Sequence, residues 1–347
     1  MQHKVFNFFC KDMSKWEDLI HKKNSDLSID DFCHKFIRGR DVWIVQTFYN
    51  LKKRGLPVQI SSELSEDKIN IIHYDDVVNL KNFHDRFVVS IRADRDPIFN
   101  TNIEIVQNNS SILSKNQYYI PHWPQPGILK RDFVRGCMLE NIVYMGNKEN
   151  IDEFYTSDKF LSALRSIGMR LVIQERDWWD YHDADVVLAV RTGSPFFLSS
   201  KPASKLVNAW IAGCPAILSR ESGYRELRTS EDDYIEAMCP DDVLAALMQL
   251  RDKPELALKM RENGQKRAAA FSVEAITDRW ERFLLGHAAK EYDIWRHVSP
   301  SLRKRRYLRG LLSRKIWGHW ADGKQCHWAA EVLGEFRRRL AISVFNI

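Results

Sequence analysis

The chain has no long apolar run. No stretch of about 18 apolar residues occurs in its 347 positions, so no membrane span is expected. The N-terminus lacks an uninterrupted apolar core and carries Lys11, Lys15 and Glu17, which argues against a secretory signal. Cysteine is sparse and scattered. Cys10, Cys33, Cys137, Cys214, Cys239 and Cys326 form no C-x-x-C pair, so zinc and dithiol redox motifs have no support. Reduced thiols in a cytoplasmic chain are the expectation. The absence of G-x-G-x-x-G counts against a nicotinamide enzyme. The absence of G-x-S-x-G counts against a serine hydrolase of the nucleophile-elbow type. No internal repeat or low-complexity tract is evident.

What is present suffices for two cores: 347 residues, 44% of them apolar. The net charge of +6 is uneven, with Arg303-Lys304-Arg305-Arg306, Arg309, Arg314 and Lys315 near the C-terminus. Trp295, Tyr307, Leu308, Leu311, Leu312, Ile316, Trp317 and Trp320 interleave with these cations. The mixture fits a helix packed on the core with a solvated face, or an interfacial helix on an anionic membrane surface. Contact with nucleic acid is the third reading of such a cluster; no nucleic-acid partner is expected.

Asp41 to Arg54 reads as a helix stopped by Gly55-Leu56-Pro57, and Asp30 to Phe36 as a short one. Short apolar runs at Val5–Phe9, Val58–Ser61, Ile69–His73, Phe87–Arg92 and Ile103–Gln107 predict strands of a parallel sheet. Tyr118 to Gly127 is proline-rich and reads as the approach to a hinge. The pattern then restarts. Ile142–Gly146 and Leu171–Gln174 predict strands, and Asp158–Ile167 a helix stopped by Gly168. Helices follow from Asp241 and Pro254, and Ser272 is the expected N-cap of a further one.

The most informative stretch is Asp185 to Leu218. A buried-type strand ends at Arg191. After it, a polar loop at Lys201-Pro202-Ala203 opens a helix that closes at Gly213-Cys214-Pro215, before the short strand Ala216–Leu218. Free amides and the dipole of a helix N-terminus favour an anion, and Lys201, Ser204 and Lys205 add donors. The carboxyl edge of an open parallel sheet is where a ligand is expected.

The segment resembles the donor-binding half of GT-B glycosyltransferases. Pro202, Lys205, Ala209, Ala212, Gly213, Pro215, Ala216 and Ile217 carry the likeness. Gly223-Tyr224-Arg225-Glu226-Leu227 and Asp241 to Leu247 extend it, so that it covers about Asn141 to Leu285. The resemblance implies an α/β protein of two Rossmann-like domains facing across a cleft, with C-terminal helices crossing back. The expected organisation is an acceptor-side domain at 1–127, a linker at 128–140, a nucleotide-sugar domain at 141–285 and a basic, aromatic helical segment at 286–347.

The resemblance also places the chemistry. Lys148 follows the strand end Gly146-Asn147, where the family places a basic residue toward the β-phosphate. With Arg191, Lys201, Ser204 and Lys205, Gly146 and Lys148 form the expected diphosphate site, against the ordinary reading of each cation as a solvated surface charge. Two family glutamates are replaced, by Ser200 and Asn208. Asn208 can still bond a ribose hydroxyl, and Glu226 could supply the missing carboxylate or serve as a cap or ion-pair partner. Gln174 to Trp178 would meet the base. In the first half, Asp94 is a candidate general base. Arg92 or Arg95 would bind a lipid-linked diphosphate acceptor, or the three would form an internal ion-pair cluster. His73-Tyr74-Asp75-Asp76 is a second base candidate, and His122 lies in the hinge approach.

The resulting expectation is a metal-independent glycosyltransferase of surface polysaccharide synthesis, using a UDP-, GDP- or dTDP-sugar as substrate and no cofactor. Its acceptor would be a glycan or lipid-linked hydroxyl, and it would work in the cytoplasm or at the inner face of the membrane. A nucleotide-sugar epimerase or phosphorylase on the same architecture, and a non-catalytic nucleotide-sugar binder, are the alternatives.

Overall fold

The computed structural model describes residues 4–21, 28–191 and 193–322. They form two units. Residues 4–21, 37–121 and 276–322 belong to unit 1, and 28–36, 122–191 and 193–275 to unit 2. Residues 323–347, the end of the basic segment, lie outside the described residues.

Unit 1 is built on six parallel strands: β1 (Phe6–Phe9), β2 (Val58–Ser61), β3 (Ile69–His73), β4 (Phe87–Ile91), β5 (Ile103–Val106) and β6 (Gln117–Tyr119). Their order is β2-β1-β3-β4-β5-β6. The first connection runs to one side of β1 and the next to the other, so β1 and β3 flank a topological switch point. Between β1 and β2 the chain passes through a wide-turned helical segment at Asp41–Gln46 that continues as α1 (Thr47–Lys53). Strand β6 overlaps the start of the stretch expected to be a hinge approach: Tyr118 and Tyr119 pair with Ile105 and Val106, and the residues after Tyr119 are in no strand.

Unit 2 holds the parallel strands β7 (Asn141–Met145), β8 (Arg170–Gln174), β9 (Val186–Ala189), β10 (Ala216–Leu218) and β11 (Ile235–Glu236), in the order β11-β10-β9-β7-β8. Its helices include α2 (Asp158–Ser166), α3 (Ser204–Ala212), α4 (Ser222–Leu227), α5 (Pro240–Asp252) and α6 (Pro254–Ala268). Alternate residues of β7 serve two cores. Ile142 and Tyr144 pack with Leu164, Leu247 and Leu250 on one face; Val143 and Met145 pack with Leu206 and Trp210 on the other. Burial on both faces explains why these strands read as continuous apolar runs.

The segment 128–140, expected as a linker, lies within unit 2 and is tied to it. Fully buried Asp185, just ahead of β9, accepts from Arg131 at 2.9 Å, from Arg135 at 2.7 Å and from the Glu140 and Asn141 amides at 2.9 Å. These bonds hold its carboxyl below the usual range against the opposing effect of burial.

The chain leaves unit 2 through α7 (Val273–Arg282), where the Ala275 amide donates to the Ser272 hydroxyl at 3.1 Å. Residues from Ile276 onward belong to unit 1, including α8 (Ala289–Arg296) and α9 (Pro300–Asp322). Trp280 lies 6.5 Å from Trp43 between ring centres, and Phe283 lies 4.7 Å from Tyr118. Tyr292 and Trp295 both meet Phe87 edge-on. The described C-terminal helices thus pack on unit 1. Among the described residues no helix is long and apolar enough to cross a membrane.

Candidate functional site

In unit 2, β7 connects to β8 on one side while β9 lies on the other, so the sheet changes direction between β7 and β9. The crevice outside their carboxyl ends is the expected ligand position. Three of the candidate residues meet there. Gly146 follows β7, Arg191 follows β9, and Lys205 reaches in from the first turn of α3.

Helix α3 is held by its buried side, Leu206, Val207, Ala209 and Trp210, and Gly213 closes it in the left-handed conformation. This packing turns its opening toward the crevice. Lys205 donates from Nζ to the Met145 carbonyl, and Nζ lies 4.6 Å from the centre of the Tyr144 ring. Gly146 has φ +151°, and a β carbon there would sit 3.0 Å from Lys205 Nζ, so glycine leaves room for the ammonium.

Arg191 pairs with Glu221, Nε to Oε1 at 3.2 Å. Glu221 is fully buried just after β10 and accepts from the Ser219 hydroxyl at 2.9 Å, while its Oε2 has no hydrogen-bond partner. Burial pushes its carboxyl up, against the pull of Arg191 and Ser219. Burial, and then the Arg191 guanidinium, push the Lys205 ammonium down to about 7; Glu221 opposes them. The result is a cationic crevice with one buried counter-charge and a lysine poised near neutrality.

The other unit 2 candidates lie as follows. Lys148 is exposed beyond β7, its amide donating to the Glu175 carboxylate at 3.0 Å, which joins the ends of β7 and β8. Trp178, in that same loop, keeps a buried indole N–H without a hydrogen-bond partner. Lys201 lies 4.2 Å over the Phe197 ring, and Ser204 opens α3. Ser200 donates to the Phe197 carbonyl at 2.8 Å. Asn208 Oδ1 accepts from the Gln125 amide at 3.1 Å, and Asn208 also bonds the buried Tyr181 hydroxyl. The carboxylate placed among the cations is Glu221; Glu226 is half-buried on α4. Sequence reading missed Glu221, although a polar Ser219-Arg220-Glu221 directly after the short apolar strand was an available signal.

In unit 1, Arg92 is buried with Glu104 rather than open to a ligand. Arg92 Nη1 lies 3.7 Å from Glu104 Oε2, and Glu104 also accepts from the Ile98 amide at 2.6 Å and from Gln117. Asp94 is half-buried after β4, 3.6 Å from Arg95 Nη1, and follows Ala93 at φ +53°. A left-handed non-glycine residue at a strand end is the sort of strain found at functional turns. His73 ends β3 at the unit 1 switch point. Its Nδ1 accepts from the Asp75 amide at 3.3 Å, and its buried Nε2 has no hydrogen-bond partner. Burial holds this imidazole down at about 4, so it is neutral at pH 7 and carries its proton on Nε2. His122 contacts the Trp123 carbonyl through Nδ1. Among the described residues no group of three His, Cys, Asp or Glu side chains is placed to hold a metal ion.

No family model matches the chain. A stretch of 72 residues is 40% identical to the lipopolysaccharide core biosynthesis glycosyltransferase LpsD of Rhizobium meliloti (strain 1021), covering 20% of this chain and 21% of that protein. The match thus spans about a fifth of the curated relative. Among solved structures, Anabaena Alr3699/HepE in complex with UDP and glucose aligns with a TM-score of 0.49 at 10% identity, over 81% of this chain and 98% of that one. Sucrose-phosphate synthase from Thermosynechococcus elongatus aligns with a TM-score of 0.45 at 14% identity, over 64% and 74%.

Proposed function

We propose that the chain is a glycosyltransferase that binds a nucleotide-sugar in unit 2 and transfers its sugar to a hydroxyl of a glycan or lipid-linked acceptor in surface polysaccharide synthesis. The observation that carries this reading is the meeting of Lys205, Arg191 and Gly146 at the switch point between β7 and β9. The resemblance of Pro202 to Ile217 to the donor motif and the match to a named glycosyltransferase support it.

In this reading the diphosphate lies against Arg191, Lys205 and the start of α3, with Lys201, Ser204 and Lys148 adding donors. These cations neutralise the leaving group without a divalent ion. A diphosphate beside Lys205 restores its full charge, so donor binding takes up a proton at pH 8. The base of a UDP-, GDP- or dTDP-nucleotide lies toward Trp178. Unit 1 takes the acceptor, with Asp94 as the base that removes the hydroxyl proton. The outer face of α9, where exposed Leu308, Leu312 and Ile316 alternate with cations, rests on an anionic membrane surface.

A second reading, a non-catalytic nucleotide-sugar binder, draws on Ser200 and Asn208, whose side chains are engaged within unit 2. Turnover decides between them. Incubation with UDP-, GDP- and dTDP-sugars should release nucleotide slowly from one family, and Lys205→Ala should abolish the release. Saturable binding without any release would favour the binder, and no binding would remove both.

A further inference from the structure

The amino edge of the unit 1 sheet, opposite the ends that carry His73, Arg92 and Asp94, holds a cavity of about 470 Å³. The segments entering β4, β5 and β6 line one side of it, and α8 and α9 the other.

The wall is firmly built. A β carbon on Gly310 of α9 would lie 2.1 Å from the Phe99 carbonyl oxygen and 2.6 Å from Asn100 Cα, so the helix rests directly on the loop before β5. Tyr307 stands edge-on to Phe83 at 4.9 Å, and its hydroxyl accepts from the Asn82 amide at 3.1 Å. The Arg303 guanidinium stacks 3.8 Å over Trp295 and donates to the Arg296 carbonyl at 2.9 Å.

The polar groups of this wall are incompletely matched. Arg303 Nε, a donor, and Asn100 Oδ1, an acceptor, are buried without hydrogen-bond partners. Such groups leave a desolvation cost uncompensated. Lys115 and Arg306 line the cavity and form no ion pair among the described residues. Arg86 is paired with Glu66 and Asp85, and Glu291 is the acidic residue of the lining. Positive charge without an ion-pair partner and aromatic side chains thus line one space.

We propose that this cavity binds a phosphate group carried on a sugar-sized body. The phosphate oxygens take Arg303, Arg306 and Lys115 in charge-assisted bonds. The apolar face of the body lies on the aromatic side chains. Two sources share this chemistry: a soluble sugar phosphate, and the head group of a phosphorylated lipid. The site is separate from the unit 2 crevice and does not depend on its occupancy.

The test uses the full chain and the double variant Lys115→Gln/Arg306→Gln. Both positions are exposed, so the fold is expected to persist, and an unchanged near-ultraviolet circular dichroism spectrum checks it. Glucose 1-phosphate is titrated by calorimetry, and co-sedimentation is measured with phosphatidylcholine vesicles with and without phosphatidylinositol 4-phosphate. The proposal expects saturable binding of at least one probe, weakened about tenfold or more in the double variant. UDP binding, which reports the unit 2 crevice, should be the same in both proteins. Binding of glucose 1-phosphate identifies the soluble source, and binding only to the phosphoinositide vesicles identifies the lipid source. Failure of both probes, or equal binding by the variant, overturns the proposal.

Discussion

Lys205 concentrates the chemistry of unit 2 in one side chain. Its ammonium is held down at about 7, against an ordinary value of 10.5, first by burial and then by Arg191. Between those values the unfolded chain binds a proton that the folded chain does not, so this residue makes stability rise with pH from about 7 to 10.5. Urea unfolding at pH 7 and pH 10 should show that rise, and Lys205→Met should flatten it. Glu221 opposes the downward push, so Glu221→Gln should lower the Lys205 value further, read by NMR titration of reductively methylated lysines. An unmoved Lys205 resonance would detach Glu221 from the cluster. Lys205, Arg191 and Gly146 were legible in the sequence because each directly follows a strand or opens a helix. Glu221 was not, because its partner Arg191 lies on a different strand and only the fold brings them together. Arg92 looked available for the same reason: Glu104, its buried neighbour, belongs to the adjacent strand.

Elements with a strong local pattern were readable. The helices from Asp158, Pro240 and Pro254 and the apolar strands of both sheets fall where periodicity and glycine stops predict them. Two of the edge strands, β6 and β11, were not read. They are short, and prolines after β6 dominate the local signal, so only pairing with β5 and β10 defines them. Helix α7 illustrates how tertiary packing decides membership. Its cap at Ser272 was readable, whereas the burial of Trp280 against Trp43 and Phe283 was not. Trp280→Ala should destabilise the chain by about 3–5 kcal/mol in denaturant unfolding, as expected for a fully buried indole. Ser272→Ala, which removes only the cap, should cost about 1 kcal/mol. Equal losses from the two would mean that α7 is held by its end rather than by its packed face.

For the whole molecule, the chain enters unit 2 briefly at 28–36, crosses into it again at His122 and returns to unit 1 at Ile276. The α/β class and the doubling of the sheet were visible as two runs of apolar segments, but the return was visible only through resemblance, since nothing local marks where a helix docks. The central claim is that the switch point of the unit 2 sheet binds the diphosphate of a nucleotide-sugar. Calorimetric titration of UDP, GDP and dTDP into the wild-type chain and into Arg191→Gln tests it most directly. The account predicts that one nucleotide binds with a stoichiometry of one, with proton uptake at pH 8 as Lys205 regains its charge, and that Arg191→Gln weakens it by about tenfold or more. No binding by any of the three, or equal binding by the variant, would contradict it.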